Sequence, residues 1–127
     1  MKFSDSPKVR SFVYVEDSIK PRSFELTWDK PNTSCKITSY KISWKKDILW
    51  DHNDEGKEEH TSLKGGVQKY TKENAIPYSN YTNICISATT KTNNSSEKTC
   101  ISGTVQTKED GKIIKYFFFN FILLMYF

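Results

Sequence analysis

Apolar residues recur at every second position over short runs of this chain, and turn-forming or charged residues separate the runs. Such alternation marks a half-buried β-strand, because successive side chains of an extended backbone point to opposite faces. In 24–28, Phe24, Leu26 and Trp28 share one face and Glu25 and Thr27 the other. In 37–45, Tyr40, Ile42 and Trp44 stand together, with Lys41, Ser43 and Lys45 opposite. The run 9–15 alternates weakly and follows Pro7, which suits a strand that begins at an edge. Further strands are predicted over 67–71, 83–88 and 98–107, and no segment carries a helical apolar stripe. Pro31, Asn32, Thr33 and Ser34 form a predicted turn. The polar stretch 46–66 is expected to hold one short strand around Ile48, Leu49 and Trp50, then a flexible acidic loop ending at Gly65 and Gly66. Short strands at regular spacing predict an all-β sandwich or barrel.

The last two strands can be paired by arithmetic. A hairpin centred between Thr92 and Asn93 sets Cys85 opposite Cys100 and Ile84 opposite Ile101. Opposed residues point to the same face, so the isoleucines are expected in the core and the cysteines on the outer surface. Directly opposed Cα atoms lie about 4.5 to 5.5 Å apart, within the range a disulfide accepts. A Cys85–Cys100 bond is therefore expected, worth roughly 2 to 3 kcal/mol for so short a loop. Two reduced thiols, or a bond that uses Cys35 instead, remain the alternatives.

Tyr81 stands between a proline turn, 75–80, and the apolar strand 83–88. In immunoglobulin-like sandwiches a tyrosine near the start of strand F buries its ring and bonds its hydroxyl to upstream backbone, tying a corner of the fold. The strand after it is out of phase, since Ile84, Ile86 and Ala88 lie at odd offsets from Tyr81 and a one-residue shift reverses the face. Either a β-bulge near Thr82 and Asn83 absorbs one residue, or Tyr81 does not point inward.

These residues together resemble a fibronectin type III domain. Trp28 followed by Pro31 is similar to the family's Trp-x-x-Pro at the end of strand B. Ile37-x-x-Tyr40-x-Ile42-x-Trp44 resembles strand C, Pro77-x-Ser79-x-Tyr81 the corner between strands E and F, and Val105-x-Thr107 the usual ending. Ala75 stands where the family has a leucine two residues before the corner proline. The resemblance covers about residues 7–107. It implies an immunoglobulin-like two-sheet sandwich of about seven strands, with the module at 7–109, a short lead at 1–6 and a hydrophobic tail at 110–127 outside the fold. Residues 77–88 with the later Cys100 are also similar to repeats in ectodomains of invertebrate receptor-type protein tyrosine phosphatases. The Trp-Ser-x-Trp-Ser box of cytokine-receptor modules is missing from the last strand.

The chain is 127 residues long, enough for one core. Its charged fraction of 27% and net charge of +4 are ordinary, and acids intersperse the basic residues, so no nucleic-acid face is visible. Asn32, Asn80, Asn93 and Asn94 each begin an Asn-x-Ser/Thr acceptor for glycosylation, which together with the expected disulfide fits an extracellular or cell-surface domain. Residues 1–7 have no apolar segment of a signal peptide, so the sequence reads as a fragment of a larger chain.

From Ile113 the chain becomes strongly apolar. The stretch 113–127 is shorter than the about 20 residues a helix needs to cross a bilayer. A truncated membrane anchor, an interfacial segment and translated intron are the readings that stay open. Every residue after Gly111 has a codon built only, or for Met125 almost only, from A and T.

No catalytic constellation is visible. His52 and His60 flank Asp54, Glu55, Glu58 and Glu59, but they lack a metal-ligand spacing. Cys85 has no neighbouring base in sequence, and no glycine-rich phosphate loop or Arg-Gly-Asp tripeptide occurs. The expectation is a non-enzymatic spacer or binding module of a cell-surface receptor or adhesion protein, without cofactor or metal. Its partners would be a protein ligand or neighbouring modules, and it would meet a membrane only through a missing or truncated anchor. A small secreted binding protein, or an ectodomain piece of a receptor-type phosphatase without its catalytic domain, are the alternatives. The candidate surface combines Trp50, the acidic run and the 89–97 loop, with Trp50 itself expected to be partly buried.

Overall fold

A computed structural model describes residues 8–33, 35–50, 57–92 and 95–110. The segments 1–7 and 111–127, which include Pro7 and the apolar tail, lie outside the described residues, as do Ser34, His52, Asp54, Glu55, Asn93 and Asn94.

The two long alternating runs form the strands β2, Phe24–Asp29, and β3, Ile37–Ile48. Around them stand β1, Arg10–Val15; β4, Lys57–Lys64; β5, Lys69–Lys72; β6, Ser79–Thr90; β7, Thr99–Cys100; and β8, Val105–Gln106. A short 3-10 turn, Glu16–Ser18, follows β1. One sheet has the order β1-β2-β5; the other has β4-β3-β6-β7, with β8 pairing the same edge of β6 that β7 uses. All named pairs are antiparallel. The fold is a two-sheet all-β sandwich, in which β7 and β8 are two halves of one interrupted edge strand.

The inner faces meet in a core that includes Phe24, Leu26, Trp28, Tyr40, Ile42, Ile84, Ile86 and Val105, each at 3% exposure or less. Trp28 packs edge-on against both Phe12 and Tyr40, with ring centroids 6.1 and 5.4 Å apart. Edge-to-face contact suits the ring quadrupoles and adds about 0.5 to 1.5 kcal/mol to area burial. Burial pushes the Tyr40 hydroxyl pKa up, and the nearby Trp28 indole offsets part of that. Among the described residues, the two polar atoms nevertheless stop short of hydrogen-bond geometry, with each other or with any other group.

Two expectations are corrected. No separate strand forms around Ile48, Leu49 and Trp50: Ile48 ends β3, and Leu49 and Trp50 turn away from it. Residues 57–64, expected in an acidic loop, instead form β4, paired with β3 over eight positions from Lys46↔Lys57 to Ser39↔Lys64. The strand escaped notice because its half-buried row is Glu59, Thr61 and Leu63, with a single large apolar side chain. A polar, charged edge strand is how sandwiches blunt unwanted strand addition. Gly65 ends β4 where its N–H donates to the Thr38 carbonyl. A Cβ on Gly65 would overlap the Ile37 carbonyl, so no other residue fits that approach.

The predicted strand over 98–107 is likewise divided. Gly103, at φ 117, breaks it between β7 and β8.

Candidate binding surfaces

The corner before β6 is tied by side-chain hydrogen bonds from Tyr81, Thr107, Ser79 and Trp50. Tyr81 is 1% exposed, its ring packs against Phe24 at 5.2 Å, and its hydroxyl accepts the Ile76 N–H at 2.9 Å. Burial pushes the phenol's pKa up, and the Ile76 N–H partly opposes this. Thr107 closes the same corner from the other chain end. Its hydroxyl donates to the Ile76 carbonyl at 2.7 Å and accepts the Ser79 N–H at 2.9 Å. Trp50 joins here too: its Nε1 donates to the Pro77 carbonyl at 2.9 Å, and Ser79 Oγ donates to the same oxygen at 3.0 Å. Sequence reasoning missed the roles of Trp50 and Thr107, because both depend on residues about 30 positions away.

The phase of β6 is resolved by a bulge. Cys85 opposes Ser43 and Thr82 opposes Lys45, so Asn83 and Ile84 together stand across from Trp44. Asn83 takes φ 48 and is exposed, and the side chains on either side of it, Tyr81 and Ile84, both point inward. Asparagine is among the few non-glycine residues that adopt this conformation at low cost.

Cys85 and Cys100 are directly opposed and bonded, with Cα atoms 4.0 Å apart. The bond lies on the outer face, but only Cys100 is exposed there; Cys85, expected at the surface too, is buried beneath it, while Ile84 on the other face is fully buried and Ile101 packs partly on the core. The Ile101 N–H donates to the Ile84 carbonyl at 2.9 Å, continuing that register. Cys35 is a free, half-buried thiol.

Of the glycosylation acceptors, Asn32 is exposed beside the buried Pro31. Asn80 lies within β6, paired with Asp47 on one side and Gln106 on the other, and is half-exposed. Of the histidines, His60 is exposed on the outer face of β4, across from Ser43. Among the described residues no three His, Cys, Asp or Glu side chains come together in a way that could hold a metal ion.

The open side of the sandwich between β3, β4 and β5 carries a compact charge cluster. Trp44 Nε1 donates to Glu59 Oε1 at 3.2 Å, Lys46 Nζ lies 3.6 Å from the same oxygen, and Lys72 Nζ stands 5.5 Å from the Trp44 ring centre. Tyr70 stacks near-parallel to the indole, with ring centroids 6.4 Å apart. Burial holds the Lys72 ammonium below its ordinary pKa, Lys46 adds to that, and Glu59 opposes it. These are contacts that seal an edge, and every charge in the cluster faces another member of it.

Among the described residues, Trp50 and the 89–97 loop do not share a surface. Trp50 follows the end of β3 that pairs with Ser79, whereas the 89–97 loop leaves the end of β6 that pairs with Ile37. The paired strands are 12 residues long, so roughly 35 Å separates the two. Antiparallel pairing puts the start of one strand beside the end of the other, which a reading of neighbouring segments does not capture.

Similarity to solved structures completes the picture. The fn3 domain of the human collagen alpha-1(XX) chain superposes with a TM-score of 0.63 at 18% identity, over 87% of this chain and 93% of that one. A two-domain fibronectin type III segment of chicken tenascin gives 0.60 at 18% identity, over 81% of this chain and 51% of that one. The chain has the fibronectin type III fold. The FN1–FN3 domains of chicken CNTN1 agree, with a TM-score of 0.60 at 15% identity over 80% of this chain and 30% of that one. No family model and no curated protein matches the sequence. In the terms of the fibronectin type III sandwich, β1, β2 and β5 are strands A, B and E, and β3, β4 and β6 are C, C′ and F. Strand G is divided into β7 and β8.

Proposed function

We propose that the chain is a non-catalytic extracellular module that spaces or binds within a cell-surface receptor or adhesion protein. The observation that carries this reading is the Cys85–Cys100 disulfide between neighbouring strands of a fibronectin type III fold. Disulfides persist in oxidising compartments and are rare where thiols are kept reduced. The fold supports a binding or spacer role in general, because such sandwiches act through loops and open sheet faces held by a rigid core.

The module occupies about residues 7–109, since backbone pairing reaches from β1 to the Lys108 carbonyl, which accepts the Tyr78 N–H. Glycans on Asn32, Asn80, Asn93 or Asn94 belong to the same proposal. The partners are protein ligands or neighbouring modules.

Mass spectrometry of the chain expressed through a secretory pathway tests it. The expected result is a Cys85–Cys100 linked peptide and glycan on Asn80 or Asn94. A fully reduced, unglycosylated product would count decisively against an extracellular module.

A further inference from the structure

We infer that the outer face of the β4-β3-β6 sheet, centred on Lys41, is a binding surface for a sulfated polysaccharide. Between Ser39 and Ser43 the register of β3 with both neighbours is unbroken, and it fixes what stands there. Lys41 is opposed by Ser62 on β4 and by Ser87 on β6. Ser39 and Ser43, two residues away on β3 itself, share its face. Lys41 therefore sits in a ring of four serines, on a strand paired along both edges. Lys64, opposed to Ser39, and His60, opposed to Ser43, stand at two corners of the ring. All three basic side chains are exposed, and among the described residues neither lysine has an ion-pair partner. In the sequence these residues are scattered, and only the strand pairing gathers them.

The ring contains no acidic residue. On β4 the next acid of this face is Glu58, which is opposed to Lys45 and lies four residues from Ser62, about 13 Å along the strand. The outer face of the other sheet is built differently: Lys69 Nζ there lies 3.2 Å from Glu25 Oε1, and Arg10 is opposed to Asp29. The basic field thus belongs to one face of the sandwich, where it concentrates a polyanion near the sheet.

The composition of the face selects the partner. A protein interface is anchored by large side chains that become buried, and a nucleic-acid single strand by aromatic platforms on which its bases stack. Insertion into lipid needs apolar side chains. The serine ring offers none of these. It offers ammonium groups on Cα positions roughly 8 Å apart, set among hydroxyls that both donate and accept hydrogen bonds. An ammonium meets a sulfate as a compact point charge, and a serine serves a sugar hydroxyl in either sense. Sulfates and hydroxyls alternate along a sulfated sugar chain, and an open sheet face lets such a chain lie extended. The contact is shallow and solvated, so a single module binds modestly and several modules presenting the same face bind more tightly.

The surface rests on the extracellular reading for where such a polysaccharide is met, but its test uses the purified chain and is blind to secretion and glycosylation. Calorimetric titration of the full chain, disulfide intact, with a heparin octasaccharide at about 50 mM salt is expected to show saturable binding, weakened at least about tenfold at about 300 mM salt as screening removes exposed charge contacts. Lys41→Glu and Lys64→Glu should each raise the Kd at least about fivefold. Lys64 stands on an edge strand, so its variant carries the test without disturbing the middle of the sheet. Lys20→Glu makes the same change of net charge beside the corner before β6, where the Lys20 carbonyl accepts the Lys108 N–H, and should leave the Kd within about twofold. Ser62→Ala combined with Ser87→Ala should weaken binding about threefold and leave its salt dependence unchanged. Absence of binding at the lower salt, equal losses for Lys20→Glu and the two ring variants, undiminished binding of a desulfated octasaccharide, or equally tight binding of single-stranded DNA would each overturn the proposal.

Discussion

Tyr81 ties its corner through one acceptor bond from Ile76, so removing the hydroxyl leaves a half-buried N–H without its partner. Tyr81→Phe is expected to cost about 1 to 2 kcal/mol, read as a lower urea midpoint with an unchanged slope. An unchanged midpoint would mean that the ring, and not the bond, secures the corner. Asn83 makes a sharper comparison, because its left-handed backbone leaves the side chain exposed and free of packing. Asn83→Gly should stay within a few tenths of a kcal/mol of the parent, while Asn83→Val should lose about 1 to 2 kcal/mol, since a β-branched residue resists that conformation. Equal stability of the two would refute the bulge geometry. At this scale the sequence was informative where a residue's role is local. The odd offset between Tyr81 and Ile84 demanded either a bulge or an outward tyrosine, and only the three-dimensional pairing of Trp44 with two residues decides between them. Thr107 was legible as part of an ending motif, but its bonds to Ile76 and Ser79 were not, because sequence says nothing of a contact across 28 to 31 positions.

Among the elements, β2 and β3 were readable because their inner rows are continuous and apolar. β4 was hidden because one leucine is all that its inner row offers, and the sheet forms it through backbone pairing to β3. Strand G was read as one piece because Gly103 acts through its dihedral and leaves no apolar gap in the pattern. The junction after β4 allows a decisive substitution: Gly65→Ala should destabilise by about 2 to 3 kcal/mol and shift amide resonances around Ile37 and Thr38, where the new methyl meets backbone. Gly66→Ala, with open space around it, is the matched control and should be nearly silent. The disulfide is also a property of elements, since β7 is only two residues long and is held to β6 by that bond and two register pairs. Replacing both cysteines with serine should cost about 2 to 3 kcal/mol and speed amide exchange at Ile101 more than at Ile42. Uniform loss of protection across both would place the disulfide's effect on global unfolding alone.

For the whole molecule, pH acts through phenols. Burial raises the pKa of Tyr40, Tyr70 and Tyr81 above 10.0. Above pH 10 the unfolded chain therefore releases protons that the folded chain retains, and the stability those phenols contribute is lost as pH rises through their folded values. Lys72 works in the opposite sense. Its folded pKa is below 10.5, so the folded chain deprotonates first and stability rises between its folded and unfolded values. Three phenols outweigh one partly buried ammonium, so the urea midpoint should fall between about pH 10 and 12. Lys72→Met should steepen that fall. A midpoint that rises with pH, or phenolate absorbance that appears for every tyrosine at once near pH 10, would show the phenols to be solvated.

The bulge in β6 has a mechanical meaning. An ordinary strand can slide by two residues along its neighbour and keep every side chain on its proper face, so alternation alone does not distinguish such alignments. β6 consists of two halves in opposite phase, hinged at Asn83 and pinned below by Tyr81 and above by Ile84. Any slide of β6 past β3 would carry Asn83 away from Trp44 and would require the two-against-one site to be rebuilt at another residue of β3. The extra residue thus works as a registration mark: it gives the β3–β6 pair one position at which the local bend of β6 and its partner on β3 match.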